Sequence, residues 1–138
     1  MKVLVTGGFG FLGMAVVRRL LLLGHSVRIL DSRRPPAEWT AHTRKPVVKR
    51  KDRYAVIVIP DAAGAAAESV TGDMRDPDVC RDGCAGVDAV MHFAGISSIG
   101  FSIRRPLYAI DVNLRGTRVL LEAAERSGGL PRRRRVAV

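Results

Sequence analysis

Long apolar runs are missing from this chain of 138 residues. Nothing in it approaches the roughly 18–20 consecutive apolar residues that span a bilayer as a helix. The Met1 end holds one lysine and a short apolar run, less than the apolar core of about 7–15 residues that a secretion signal needs. A membrane-free, cytoplasmic protein is therefore expected. Cysteine is scarce as well, with only Cys80 and Cys84. Their i, i+4 spacing on a short predicted helix is awkward for a disulfide, and two thiols alone do not complete a metal site. Free, partly buried thiols are expected, and with His25, His42 and His92 far apart in sequence no metal is expected either. Acids are few: 13 Asp and Glu stand against 23 Lys and Arg, a formal net charge of +10. Such a balance raises the question of nucleic acid. The basic residues are nearly all arginine, however, and concentrate at 33–53 and 132–135 without interleaved aromatics on which bases would stack. They are read as solvated loop charge, ahead of an anionic-ligand role and of nucleic acid, which is not an expected partner.

What is present amounts to one domain over residues 1–138. Lys2 to Thr6 is a short apolar strand that runs into glycines, and Phe11 to Leu23 places apolar residues at helical spacing with Arg18 and Arg19 on the outer face. Gly24 stops that helix, and Ser26 to Leu30 makes a second strand ending at Asp31. A long basic connection follows, at about 33–66, opening with Arg33-Arg34-Pro35-Pro36 and expected to be exposed through Arg53. Two strand candidates come next, Tyr54 to Ile59 and the weaker Glu68 to Thr71. Which of them takes the third parallel position is open; they pair as a hairpin, or the first is an inserted edge strand. Asp76 to Cys84 suits a short helix capped by Asp76 with Pro77 in its first turn. Val87 to His92 is a buried strand, a long helix is predicted from about Pro106 to Arg126, and Arg135 to Val138 opens a further strand. Alternating strands and helices imply an α/β fold of the Rossmann type, a doubly wound parallel sheet that breaks off at about its fifth strand. Ligands in such sheets lie beyond the carboxyl ends of the strands, where the strand order reverses.

One segment carries specific chemistry. Thr6-Gly7-Gly8-Phe9-Gly10-Phe11-Leu12-Gly13 fits G-x-x-G-x-x-G through Gly7, Gly10 and Gly13, and G-x-G-x-x-G through Gly8, Gly10 and Gly13. It follows a strand, opens a helix, and is trailed 18 residues after Gly13 by Asp31 at the end of the next strand. That is the context the dinucleotide fingerprint requires. Glycines let backbone N–H groups approach a pyrophosphate, and the helix N-terminus adds partial positive charge. Asp31, followed by Ser32, is placed to accept hydrogen bonds from the adenosine ribose hydroxyls and to repel a 2′-phosphate. NAD is therefore expected, while Arg33 and Arg34 leave NADP possible.

With these residues the chain resembles the extended short-chain dehydrogenase/reductases, the NAD-dependent epimerase/dehydratase family. The likeness covers Met1 to about Asp31 and then Gly72 to Val138. Within it Gly72-Asp73-Met74-Arg75-Asp76 resembles the segment whose Asp meets the adenine amino group, and Val87 to Gly95, ending His92-Phe93-Ala94-Gly95, resembles the fourth strand and the turn packed on the riboses. Asn113-Leu114-Arg115-Gly116-Thr117 resembles the helix whose Asn supports the site. The resemblance implies cofactor contacts at Gly7, Gly8, Gly10, Phe11, Leu12, Gly13, Asp31, Ser32, Asp73, Met74, Phe93, Ala94, Gly95 and Asn113. Read from the residues alone, Asp73 also suits a strand-end turn, Asn113 a polar helix position, and His92 a structural histidine in preference to a catalyst.

Enzymes of that family use a Tyr with a Lys four residues later, because a phenol serves as a base near neutrality only when a nearby cation stabilises its phenolate. Here Tyr54 and Tyr108 are followed at that spacing by Val58 and Val112, and no lysine occurs after Lys51. No catalytic residue is assigned. Three readings follow: the dinucleotide-binding part of a nucleotide-sugar epimerase or dehydratase completed by a C-terminal half; a non-catalytic cofactor-sensing module; or a fragment with no role of its own. A sheet ending at its fifth strand leaves an open edge, so self-association is expected.

Overall fold

The computed structural model describes residues 1–40, 54–59, 65–127 and 136–137. Its strands are β1 (Lys2–Thr6), β2 (Ser26–Asp31), β3 (Tyr54–Val58), β4 (Ala66–Thr71), β5 (Ala89–His92) and β6 (Val136–Ala137). Its helices are α1 (Phe11–Leu22), α2 (Ala37–Thr40), α3 (Pro77–Cys84), α4 (Ile99–Arg104), α5 (Pro106–Ile110) and α6 (Gly116–Arg126), with a π-helical turn at Asp111–Arg115 joining the last two. The strands form one sheet in the order β3-β4-β2-β1-β5-β6. Five of them are parallel, and only β3 runs antiparallel, against β4. The chain winds outward from β1 through β2 to β4, then returns to the other side of β1 for β5 and β6, so the order reverses between β1 and β5. This is the doubly wound Rossmann-type fold.

The strand candidates left open by the sequence are now assigned. Ala66–Thr71 takes the third parallel position beside β2, and Tyr54–Val58 pairs with it antiparallel at the sheet's edge. The hairpin and the inserted edge strand are thus one arrangement.

Pleating sends alternate residues of a strand to opposite faces, and the core divides accordingly. Val3, Val5, Val27 and Ile29 pack with Val17 and Leu21 of α1 and with Phe9, Trp39 and Ile59 on one face. Leu4, Leu30, Val70 and Val90 pack with Val79, Cys80 and Cys84 of α3 and with Val119, Leu120 and Ala124 of α6 on the other. Each buried Val, Leu, Ile or Phe among them contributes on the order of 1.5–3 kcal/mol over its exposed state. Arg28 is a buried charge within β2. Its guanidinium donates to the carbonyls of Asp82, Gly83 and Ala85, at 3.1, 3.0 and 2.6 Å, and to Glu68 at 2.8 Å. It thereby satisfies the carbonyls that the end of α3 leaves without helical partners. Burial pushes the Glu68 carboxyl up, but hydrogen bonds from Lys2 and Arg28 outweigh it and leave the group below its ordinary value.

Two expectations change. The connection after Asp31 is not exposed throughout, because Trp39 on α2 is fully buried; its remainder at 41–53 lies outside the described residues. The helix expected from Pro106 to Arg126 carries the π-helical turn in its middle, which rotates the residues after it relative to those before. No described helix is long and apolar enough to cross a membrane.

Candidate functional site

Strand ladders hold the glycine loop in place before any ligand does. Gly7 N–H donates to the Leu30 carbonyl at 2.8 Å, carrying the β1–β2 ladder one step past Thr6, and Phe93 N–H donates to the Thr6 carbonyl at 3.1 Å, doing the same on the β5 side. The chain then turns sharply. Gly7 has φ of +67°, and a Cβ there would stand 2.7 Å from the Ala94 nitrogen. Gly10 caps α1 with no side-chain hydrogen bond, so the first N–H groups of the helix face the groove without a built-in acceptor, as helix geometry dictates. Gly13 is the closest contact of all, its position lying where a Cβ would come within 2.1 Å of the Gly7 carbonyl oxygen.

Asp31 ends β2 beside this loop and is 4% exposed. Its Oδ2 accepts from Phe9 N–H at 2.9 Å, and its Oδ1 accepts from Arg33 N–H at 3.0 Å and from Arg33 Nε at 3.4 Å. The carboxylate is pinned by the loop on one side and by the next turn on the other, with acceptor capacity left for further donors.

Opposite, at the end of β4, Arg75 grips Asp73 through its main-chain N–H and its guanidinium, the shortest contact being 2.6 Å from Nη2. The same guanidinium donates to Asp111 at 2.7 Å and lies 4.8 Å from the ring centre of Tyr108. Hydrogen bonding from Arg75 holds the Asp73 carboxyl below the usual range, and the two carboxylates push Arg75 further up. Asn113, in the π-helical turn, accepts from Ile96 N–H at 2.7 Å and donates to the Ile96 carbonyl at 3.0 Å. It closes the turn after Gly95 as a neighbouring strand would.

His92 lies between these parts. Thr117 Oγ1 donates to the Asn113 carbonyl at 2.5 Å, so it accepts from His92 Nε2 at 2.9 Å; His92 Nδ1 then accepts from Thr6 Oγ1 at 2.6 Å, whose oxygen takes Ala94 N–H at 3.2 Å. One continuous chain of bonds fixes the neutral tautomer, and burial pushes the imidazole pKa down. The thiols stand apart from this site. Cys80 donates to the Met74 carbonyl at 3.0 Å, and burial, aided at Cys80 by Cys84, raises the two to about 12 and about 11.

These parts enclose an open groove of about 820 Å³ at the carboxyl ends of the parallel strands, where the strand order reverses. Its size falls within the range of small-molecule and cofactor sites. Of the residues singled out in the sequence, Gly7, Gly10, Phe11, Leu12, Gly13, Asp31, Ser32, Asp73, Met74, Phe93, Ala94, Gly95 and Asn113 all line it. Gly8 does not. It faces the sheet, where a Cβ would come 2.6 Å from Ile29 Cγ2. Arg33, Ile96, Ser97, Tyr108, Val112 and Thr117 also line the groove; Arg33 had a signal in its place just after Asp31 and Thr117 in the segment that begins at Asn113, whereas Ile96 and Ser97 had none.

A family model described as the NAD-dependent epimerase/dehydratase family matches residues 3–134. The chain belongs to the NAD-dependent epimerase/dehydratase family. Among relatives in it, a UDP-glucose 4-epimerase of Klebsiella pneumoniae is 33% identical over 132 residues, which are 93% of this chain and 83% of that protein. The solved UDP-glucose 4-epimerase of Stenotrophomonas maltophila, with bound NAD and formylated UDP-arabinopyranose, superposes with a TM-score of 0.71 at 34% identity, over 93% of this chain and 34% of that one. A dTDP-glucose 4,6-dehydratase of Streptomyces venezuelae, with NAD and TYD bound, gives 0.66 at 30% identity, over 94% and 38%. The chain thus spans little more than a third of these two solved family members. It corresponds to the dinucleotide-binding portion of the epimerase/dehydratase family, homologous to the N-terminal part of UDP-glucose 4-epimerase.

Proposed function

We propose that this chain binds NAD in the groove and serves as the dinucleotide-binding part of a nucleotide-sugar epimerase or dehydratase. The observation that carries the reading is the glycine loop and Asp31 meeting at the strand-order reversal, with bare N–H groups on one wall and a fixed carboxylate on the other. The amides at the start of α1 receive the diphosphate, and Asp31 accepts the ribose hydroxyls. Asp73 and Met74 border the adenine, and Phe93 to Gly95, braced by Asn113, border the nicotinamide side. NAD is favoured over NADP because the Asp31 carboxylate repels a 2′-phosphate. Bound NAD would supply a hydride acceptor for the sugar. This chain's own residues supply binding and orientation, since neither tyrosine has a lysine four residues on.

A second reading, a non-catalytic cofactor-sensing module, is favoured by Tyr108. Among the described residues it is the one tyrosine on the groove, and its hydroxyl and ring are both engaged by Arg75. The proposal also includes self-association through the exposed face of α4 to α6, described below.

Titration of NAD and NADP, read as a thermal melt, tests the binding. A ligand that binds only the folded chain at a hundred times its Kd stabilises it by about 2.7 kcal/mol. NAD is expected to raise the melting temperature, and Gly10→Trp to abolish the rise. No rise with either dinucleotide overturns the reading. A defined NAD-dependent partner for the chain, with no turnover in any reconstituted form, selects the sensing module.

A further inference from the structure

The segment after Asp31 has no part in the function proposed above, yet it places the chain's single tryptophan against the glycine loop. Trp39 sits on the four-residue helix α2 and is fully buried. Its ring meets that of Phe9 edge to face, with centroids 6.0 Å apart and planes at 76°. The Arg18 guanidinium, from α1, lies 5.5 Å from its centre. Phe9 is the residue between the second and third glycines of the loop, it is itself 5% exposed, and its N–H donates to Asp31 Oδ2. Three residues from separate parts of the chain therefore form one stack: Trp39 bears on Phe9, and Phe9 holds one oxygen of Asp31.

We propose that Trp39 is a positioning residue for the cofactor site, acting through Phe9 to set the orientation of the Asp31 carboxylate toward the adenosine ribose. This deepens the reading of the groove as an NAD site and rests on it. Removing a large buried ring leaves a void into which neighbours relax only in part. Phe9 is the neighbour whose ring loses its partner, and it lies two residues beyond the last ladder bond at Gly7. When it shifts, its N–H leaves Asp31, and the carboxylate is held from the Arg33 side alone, through Oδ1. The carboxylate then turns, and hydroxyl recognition suffers more than phosphate binding, which depends on α1.

The test compares affinity for NAD with that for its analogue lacking the adenosine 2′-hydroxyl. Wild type is expected to prefer NAD by about tenfold or more, the effect of one hydrogen bond to a charged group. Trp39→Leu, which keeps apolar bulk without the aromatic edge, is expected to reduce the preference to about twofold or less, while Trp39→Phe retains it. A Trp39→Leu protein that melts earlier but keeps the full preference makes the residue merely structural and overturns the inference. Coupling is reciprocal, so a wild-type measurement stands even where that variant does not fold. Trp39 emission is expected to differ between saturation with NAD and saturation with the analogue, and identical spectra overturn the inference as well. Failure of wild type to bind either dinucleotide overturns both this inference and the function it rests on. Binding without discrimination by Trp39 overturns this inference only.

Discussion

Gly13 marks a place where the main chain leaves no room for a side chain. A Cβ there would press on the carbonyl of Gly7, which accepts from Gly10 N–H at 2.9 Å in a residue whose own N–H is tied to the β1–β2 ladder. Gly13→Ala is expected to cost about 1–3 kcal/mol or more, the range for overpacking a close-packed interior, and to weaken dinucleotide binding, because relief requires the loop or α1 to move. Melting temperature and NAD titration of the variant check both. His92 allows a pH prediction. Its folded pKa is lowered by burial from an ordinary value of 6.5, so as pH falls below that value the unfolded chain takes up a proton before the folded one does. Stability is accordingly full above about pH 6.5 and declines as pH drops toward the lowered folded value. Denaturant unfolding between about pH 5 and 7 is expected to show this slope, and His92→Gln to flatten it; an unchanged slope contradicts the bonded neutral tautomer.

At the scale of elements, α3 shows how a helix can be read in advance. Asp76 caps it by accepting from Asp78 N–H at 2.9 Å, with Pro77 in its first turn, as the residue types predict. Asp76→Ala is expected to destabilise the protein by about 1 kcal/mol, measured by urea unfolding, with dinucleotide affinity unchanged once the protein is folded. The glycine loop and Asp31 were legible for the same reason: their chemistry is local, and spacing alone carries it. Direction and register were not. The apolar run Tyr54 to Val58 reads as a strand in either sense, and only its pairing with Ala66–Thr71 makes it antiparallel. Helix α4 was missed because its six residues are too few to establish a period. The π-helical turn at Asp111–Arg115 escaped because one shifted hydrogen-bond ring leaves no compositional trace. Trp39 was legible only as a lone tryptophan among prolines and charges, and its burial depends on Phe9 and Arg18, which are distant in sequence.

On the whole molecule, the helices after β5 leave an apolar face uncovered among the described residues. Ile99, Ile103, Leu107, Ile110, Leu114 and Leu121 are all exposed, Leu107 at 81% and Leu114 at 71%. Large apolar side chains, where they form a contiguous exposed patch, mark association more often than solvent contact. A size that grows with protein concentration is expected in sedimentation, and Leu107→Lys with Leu114→Lys is expected to suppress the growth. A monomer at every concentration contradicts self-association through this face. The formal charge of +10 works against such contacts at low salt, so raising the ionic strength is expected to strengthen them.

The contact of Gly7 with the peptide linking Phe93 and Ala94 has a mechanical consequence. Because the chain from β1 already touches the chain from β5 there, and Phe93 N–H is bonded to the Thr6 carbonyl, the bottom of the groove cannot close further and is tied across by the sheet. Adaptation to different guests falls to the rim, where the Arg33 side chain is 61% exposed.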